Sequence, residues 1–373
     1  MTEKQISRKT TEVSAVIHFL VDLACIFLAT AFLIPLCADR TVWLWVVMLY
    51  NMFAFAFQLP IGALADRLGS SWRVSAAGCI IIAAAYGLAW RGAEPGIALP
   101  ILIAVVAGIG NSCFHVGCGI AVLKRCGGKA AFPGIFVSTG AFGVYLAPIL
   151  ASLPRAALIG KGAGLLGMLA CALILFRSEK GLGSPENREE TNLRSRAGFP
   201  AALMLTAATG LLITVLLRSY AGTIMGFSWR TVPLLGLLFT LGIVFGKMLG
   251  GVIGDRAGWM KTALASLLVS AVLFMLAKDH PAAGITAVFL FNITMPITLT
   301  ALADLIKGRP GTAFGMTTLM LFLGTVPSLF ASAGIMGKGT AALLPAVVIL
   351  SALGIGAGLW AHHKILQERG EDR

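Results

Sequence analysis

The chain has 373 residues, 58% of them hydrophobic and only 12% charged, with a mean hydropathy of +0.89. A soluble domain carries about 25% charged residues, so this composition excludes a cytosolic enzyme, a secreted disulfide scaffold and a disordered chain. The net charge of +13 is spread over 29 Lys and Arg in short loops with no basic patch, which excludes a nucleic-acid binder and fits the cytoplasmic bias of these residues in membrane proteins.

A membrane-spanning helix needs about 20 apolar residues. Runs of that kind cover 13–36, 42–64, 74–90, 97–122, 131–153 and 156–176, and then 200–224, 231–254, 260–277, 281–305, 312–334 and 340–361. They are continuous rather than alternating, which excludes a transmembrane β-barrel. The first is too long for a signal-peptide core and has no small-residue cleavage site, so it is expected to remain as an anchor. The polar stretch 178–198 divides the chain into 1–177 and 199–373 and reads as a flexible cytoplasmic linker between two six-helix bundles. With both termini in the cytoplasm, twenty Lys and Arg fall on the inner side and eight on the outer side, with Lys247 inside a span. The expected fold is therefore an all-α membrane protein of twelve transmembrane helices in a cytoplasmic (inner) membrane. The seven cysteines lie mostly within apolar runs, which argues against a disulfide framework.

The two halves share a motif. Gly62-Ala-Leu-Ala-Asp66-Arg67-Leu-Gly69 closes the second span, and Gly251-Val-Ile-Gly-Asp255-Arg256-Ala-Gly258 closes the eighth. Asn111 and Asn292, and Ala131-Phe132 and Ala313-Phe314, repeat at similar offsets. Duplication at this spacing implies parallel repeats about an axis along the membrane normal. The glycines permit tight turns and close helix approach, and each Asp can cap a neighbouring helix or pair with an Arg. Such a cluster can latch one conformation and open in another.

Twelve spans, a central linker and the motif in both halves resemble the major facilitator superfamily. The resemblance implies that fold and a gating role for Gly62, Asp66, Arg67, Gly69, Gly251, Asp255, Arg256 and Gly258. Where the family usually ends the first copy of the motif with two basic residues, Ser70-Ser71-Trp72-Arg73 keeps one. Three shorter stretches are similar to the fosmidomycin-resistance group of drug exporters. These are His18-Phe-Leu-Val-Asp22, the glycine-rich run from Gly108 to Phe114-His115, and Arg218-Ser219-Tyr220. Val116 and Gly117 depart from that group's pattern.

Charge at membrane depth is costly, so each such residue is a functional candidate. Asp22 lies near mid-bilayer with His18 one turn before it on the same face. Burial and a neighbouring imidazolium act in opposite directions on a carboxyl group, so the pair can exchange a proton near neutral pH. The alternative is a structural pair that fixes helix packing. Asn111 and His115 repeat the spacing in span four, and Asn51, Gln58, Asn292, Thr294 and Thr298 are further candidates for a substrate cavity. Arg218 reads either as a cavity residue that contacts an anion or, more simply, as a side chain snorkelling to the outer face. Lys247 reads as a side chain snorkelling to the inner face or as a gating or anion-contacting residue. Gly134, Gly140, Gly143 and Pro148 suggest close packing and a bend in span five. Cys113 and Cys118 beside the histidines are a poor metal set, because Cys113 points away from His115, and no metal is expected.

No phosphate loop or catalytic constellation is present, so neither an enzyme nor a cofactor is expected. The expected activity is a monomeric proton-coupled secondary transporter that exports a small, partly apolar organic compound or drug by alternating access. Uptake of a small organic anion through Arg218 or Lys247 is the alternative. A non-transporting membrane sensor is the reading from a different class.

Overall fold

The computed structural model describes residues 1–37, 39–90, 97–183, 201–337 and 339–370, and among these the regular structure is entirely helical. Twelve helices are long and apolar enough to cross a membrane. The first six are α1 (Glu3–Leu36), α2 (Arg40–Leu68), α3 (Ser71–Ala89), α4 (Ala98–Arg125), α5 (Ala131–Ala151) and α6 (Ala156–Leu182). The second six are α7 (Ala201–Ile224), α8 (Pro233–Ala257), α9 (Trp259–Leu276), α10 (Pro281–Leu305), α11 (Pro310–Ser332) and α12 (Ala341–Glu368).

Three ends extend past the apolar runs. The polar residues before Val13 join α1, because Thr2 accepts from the Gln5 amide while the Gln5 side chain answers the Thr2 amide, a reciprocal cap that anchors the helix start. Helix α6 continues to Leu182, so the linker expected from Ser178 begins several residues later; 184–198 lie outside the described residues. Helix α12 runs on to Glu368.

Three helices are irregular, each about one turn before a proline. Helix α1 widens to a π-helix at Ala29–Leu33 ahead of Pro35, α2 does so at Met52–Ala56 ahead of Pro60, and α10 breaks between Asn292 and Thr294 ahead of Pro296. Proline has no N–H and its ring crowds the carbonyl four residues back, so the ladder is disrupted there.

Packing repeats between the halves. Helix α1 packs on α4 and α5, as α7 packs on α10 and α11, while α3 packs on α4 and α6 as α9 packs on α10 and α12. The buried side chains fall into two main clusters, one for each set of six helices. One pairing breaks the repeat, since α12 lies close along α7, where Gly210 meets Gly354 and Gly358, and α6 touches α1 far less. The two sets meet mainly through α2 against α11 and α5 against α8.

Candidate functional site

The duplicated motif lies at one end of the helix bundle and forms two crossed caps. The Asp66 carboxylate accepts from the backbone amides of Gly311 and Thr312 at 2.7 and 2.8 Å and from the Thr312 hydroxyl at 2.8 Å, which caps α11 of the other half. Asp255 accepts from the amides of Ala130 and Ala131 at 2.9 and 3.0 Å, capping α5, and from the Trp259 indole at 3.0 Å. A carboxylate on orphan amides at a helix N-terminus contributes roughly 0.5–2 kcal/mol. The caps need backbones in contact. Gly62 faces the Gly311 carbonyl and Gly251 faces the Ala130 carbonyl, so any Cβ at either glycine would overlap backbone. Of the two roles open to these aspartates, helix capping is the one adopted. Arg67 and Arg256 make no ion pair among the described residues. Gly69 and Gly258 end their helices at φ +72° and +92°, backbone conformations that suit glycine.

A second cluster lies at membrane depth in the first half. The two i, i+4 pairs converge there, from α1 and α4. His18 Nε2 is 3.2 Å from one Asp22 oxygen and His115 Nε2 is 3.4 Å from the other. The two imidazoles meet edge to face at 4.6 Å between centroids. Each ring is tethered by its other nitrogen, His18 Nδ1 to the Phe136 carbonyl at 2.7 Å and His115 Nδ1 to the Asn111 carbonyl at 2.9 Å. A carbonyl only accepts, so both Nδ1 atoms carry hydrogens and both Nε2 atoms face Asp22. Helix α5 closes the cluster with Gly140, whose missing Cβ leaves room for the Asp22 carboxylate and the His18 ring.

This geometry constrains the protons. Two imidazole lone pairs and a carboxylate are all acceptors, and they repel one another when none carries a proton. One proton on any of the three turns one close contact into a hydrogen bond, and a second proton does the same for the other contact. The donor atoms all lie within 4.8 Å of one another, a spacing that a metal ion can also bridge. The weak metal set weighed from the sequence joined Cys113 and Cys118 to His18 and Asp22; here His18 and Asp22 meet His115, without the cysteines.

The other polar candidates behave differently. Asn111 does not pair with His115 through its side chain; its amide donates to Cys25 Sγ at 3.6 Å. Asn51 donates to the Val47 carbonyl, Asn292 to Val288, and the Thr294 and Thr298 hydroxyls to carbonyls of their own helix. These are local bonds within α2 and α10, although Thr298 Oγ1 also lies 3.5 Å from Arg218 Nη1 of α7. Gln58 donates to Ala54, but its buried Oε1 has no partner among the described residues. The glycines of α5 do pack closely, Gly134 on α8 and Gly143 on α1.

Arg218 overturns the snorkelling reading. It is only 7% exposed on α7, and its Nη1 reaches Thr298 Oγ1 of α10 at a long 3.5 Å. Lys247, on α8, lies within electrostatic reach of both Arg218 and Asp22. The sequence left both side chains open between a cavity position and snorkelling, because depth depends on which helices cover the side chain.

The chain matches the family model described as Major Facilitator Superfamily over residues 14–328. No curated protein matches it. Among solved structures it is similar to a variant of the Escherichia coli fucose:proton symporter FucP, at a TM-score of 0.62 and 13% identity over 97% of this chain and 98% of that one. It is also similar to a bacterial homologue of the iron transporter ferroportin in an outward-facing state, at a TM-score of 0.59 and 16% identity over 98% and 99% of the two chains. At these identities the likeness concerns the fold, and together with the family match over most of the length it identifies the chain as a member of the Major Facilitator Superfamily of membrane transporters.

Proposed function

We propose that this transporter couples the movement of protons to that of a small organic compound by alternating access, with the His18–Asp22–His115 cluster as the proton store. It works as a monomer in the cytoplasmic membrane, both termini inside. The single observation that carries the reading is the facing of two tethered imidazoles and one carboxylate across α1 and α4, all acceptors and all at membrane depth. A group whose proton occupancy differs between the two access states is what coupling requires. The positive-inside bias puts the crossed caps of Asp66 and Asp255 on the cytoplasmic side, so this arrangement is closed toward the cytoplasm. Opening there requires both carboxylates to leave their helix ends.

Export of a partly apolar compound in exchange for protons is the first direction, supported by the largely apolar helices and by the resemblance of the His18–Asp22 and Phe114–His115 stretches to drug exporters. Uptake of an organic anion together with protons is the second, favoured by the burial of Arg218. A pH dye sealed inside proteoliposomes, with a panel of antimicrobials and organic acids added outside, tests the coupling. A transported compound should alkalinise the lumen if it exchanges with protons and acidify it if it travels with them. Asp22→Asn should abolish either signal. A compound-evoked pH change that persists in Asp22→Asn would overturn the reading. So would zinc transport by the wild type that Asp22→Asn abolishes, because the cluster would then hold a metal cargo.

A further inference from the structure

Arg218 is an anomaly in the second half. Its Nη2 is buried and has no hydrogen-bond partner among the described residues, and no carboxylate among them pairs with the guanidinium. The long contact to Thr298 goes to a hydroxyl whose own hydrogen is directed at the Met295 carbonyl at 2.9 Å. Another cation, Lys247 of α8, lies within electrostatic reach of it. Leaving an ionised group buried and unpaired is among the most destabilising arrangements a protein can hold, and at membrane depth such groups mark ligand paths.

The charged groups around this place are few. Helix α7 contributes Arg218, α8 contributes Lys247, and α1 contributes Asp22 with His18 beside it, while α4 contributes His115. Both Asp22 oxygens already face imidazoles, and no ion pair joins Asp22 to Lys247 among the described residues. With neutral imidazoles, two cations stand against one carboxylate, which leaves a single positive charge uncompensated at the level of the membrane core.

We infer that Arg218 and Lys247 form the binding site for the acidic group of the transported compound, and that this compound is a small organic anion with one carboxylate or phosphonate group. A guanidinium presents two parallel N–H donors that match a carboxylate or phosphonate edge, and here the unpartnered Nη2 supplies one of them. The lysine of α8 supplies a point charge within electrostatic reach. A neutral drug would leave the guanidinium without a counter-charge in this arrangement, whereas an anion satisfies it. The inference names the substrate of the proposed transporter. It rests on that reading for the word transport, but not for the binding.

Binding is therefore measured alone, on purified full-length protein in detergent at one fixed pH with no gradient. The probes are benzoate, hexanoate and phenylphosphonate, each against a neutral analogue of the same shape: benzamide, hexanamide and benzyl alcohol. At least one acid should bind the wild type and raise its melting temperature, with its neutral analogue weaker by about tenfold or more. Arg218→Gln should lose that preference, Lys247→Gln should weaken it, and Arg218→Lys should restore part of it. Asp22→Asn removes the nearby negative charge and should strengthen the preference rather than abolish it, so failure of the proton reading leaves the anion binding standing. The ligand-free protein supplies a second readout. Arg218→Met should melt higher than wild type, because it removes an uncompensated charge, whereas an arginine kept for structure would make it melt lower. The inference is overturned if no acid outperforms its neutral analogue, if Arg218→Gln binds the acids as wild type does, or if Arg218→Met melts lower.

Discussion

The two halves match at their ends and differ at their centres. At the motif end, Asp66 caps α11 and Asp255 caps α5, and each cap uses two backbone amides of the opposite half. At membrane depth the correspondence is lost. The first half holds a carboxylate between two imidazoles, with every ring nitrogen in contact. The second holds a guanidinium whose Nη2 nothing among the described residues satisfies. Duplicated segments have thus kept the same chemistry at the capped ends and acquired different chemistry at membrane depth. The proposed gate opens by rocking and needs symmetry, because both caps must release together. The proposed centre for a proton and an anion needs complementary charge.

The largest effect expected from breaking this comparison comes from Asp22→Asn, which should eliminate compound-driven proton movement while leaving the crossed caps formed. The same substitution at either cap should do the reverse. Asp66→Asn and Asp255→Asn each weaken a cap worth roughly 0.5–2 kcal/mol, enough to change the balance of closed and open states by roughly 2- to 30-fold. Cysteines placed on the cytoplasmic face would then react faster in each variant, and fastest in the double variant. Unchanged labelling in both single variants would remove the gating role. Gly140→Ala is a smaller perturbation. Its new methyl group must displace the Asp22 carboxylate or the His18 ring, so a cost of about 1–3 kcal/mol in stability is expected together with weakened coupling. The counterpart in α11, Gly324→Ala, meets Ser219 and the Leu216 carbonyl on α7, so it should cost comparable stability without altering the pH dependence of transport. Thermal melts and pH profiles of the two variants separate packing from proton handling. The smallest expected effect is His115→Ala, which removes one of two imidazoles and should shift the pH profile without abolishing proton movement.

Much of this architecture is legible in the residues alone. Twelve apolar runs translate directly into twelve helices, because a helix is the simplest way to satisfy the backbone in a bilayer. The crossed caps are legible through duplication, since Asp66 and Asp255 sit in matching sequence contexts. The three helix irregularities were also within reach, one turn before Pro35, Pro60 and Pro296, but hydropathy smooths over them. The central clusters were only half legible. Spacing joins His18 to Asp22 along one helix, yet nothing in a linear pattern brings His115 of α4 to the other oxygen, or directs the Phe136 carbonyl at His18. Arg218 was left between two readings for a related reason. A long cationic side chain near a helix end can snorkel, and only the packing of α10 over it shows that this one does not. The polar residues Asn51, Asn292, Thr294 and Thr298 stood out by composition, but each turns back on its own helix, a choice the sequence does not reveal.

The central claim is that His18, Asp22 and His115 share a proton, and nitrogen-15 magnetic resonance of histidine-labelled protein in lipid tests it most directly. His18→Ala and His115→Ala would assign the signals of the two rings. Across about pH 5 to 9, where histidine ordinarily titrates, both Nδ1 atoms should stay protonated while at least one Nε2 changes its protonation, and Asp22→Asn should alter that change. Loss of the hydrogen from either Nδ1, or Nε2 signals that ignore both pH and the Asp22→Asn substitution, would contradict the account.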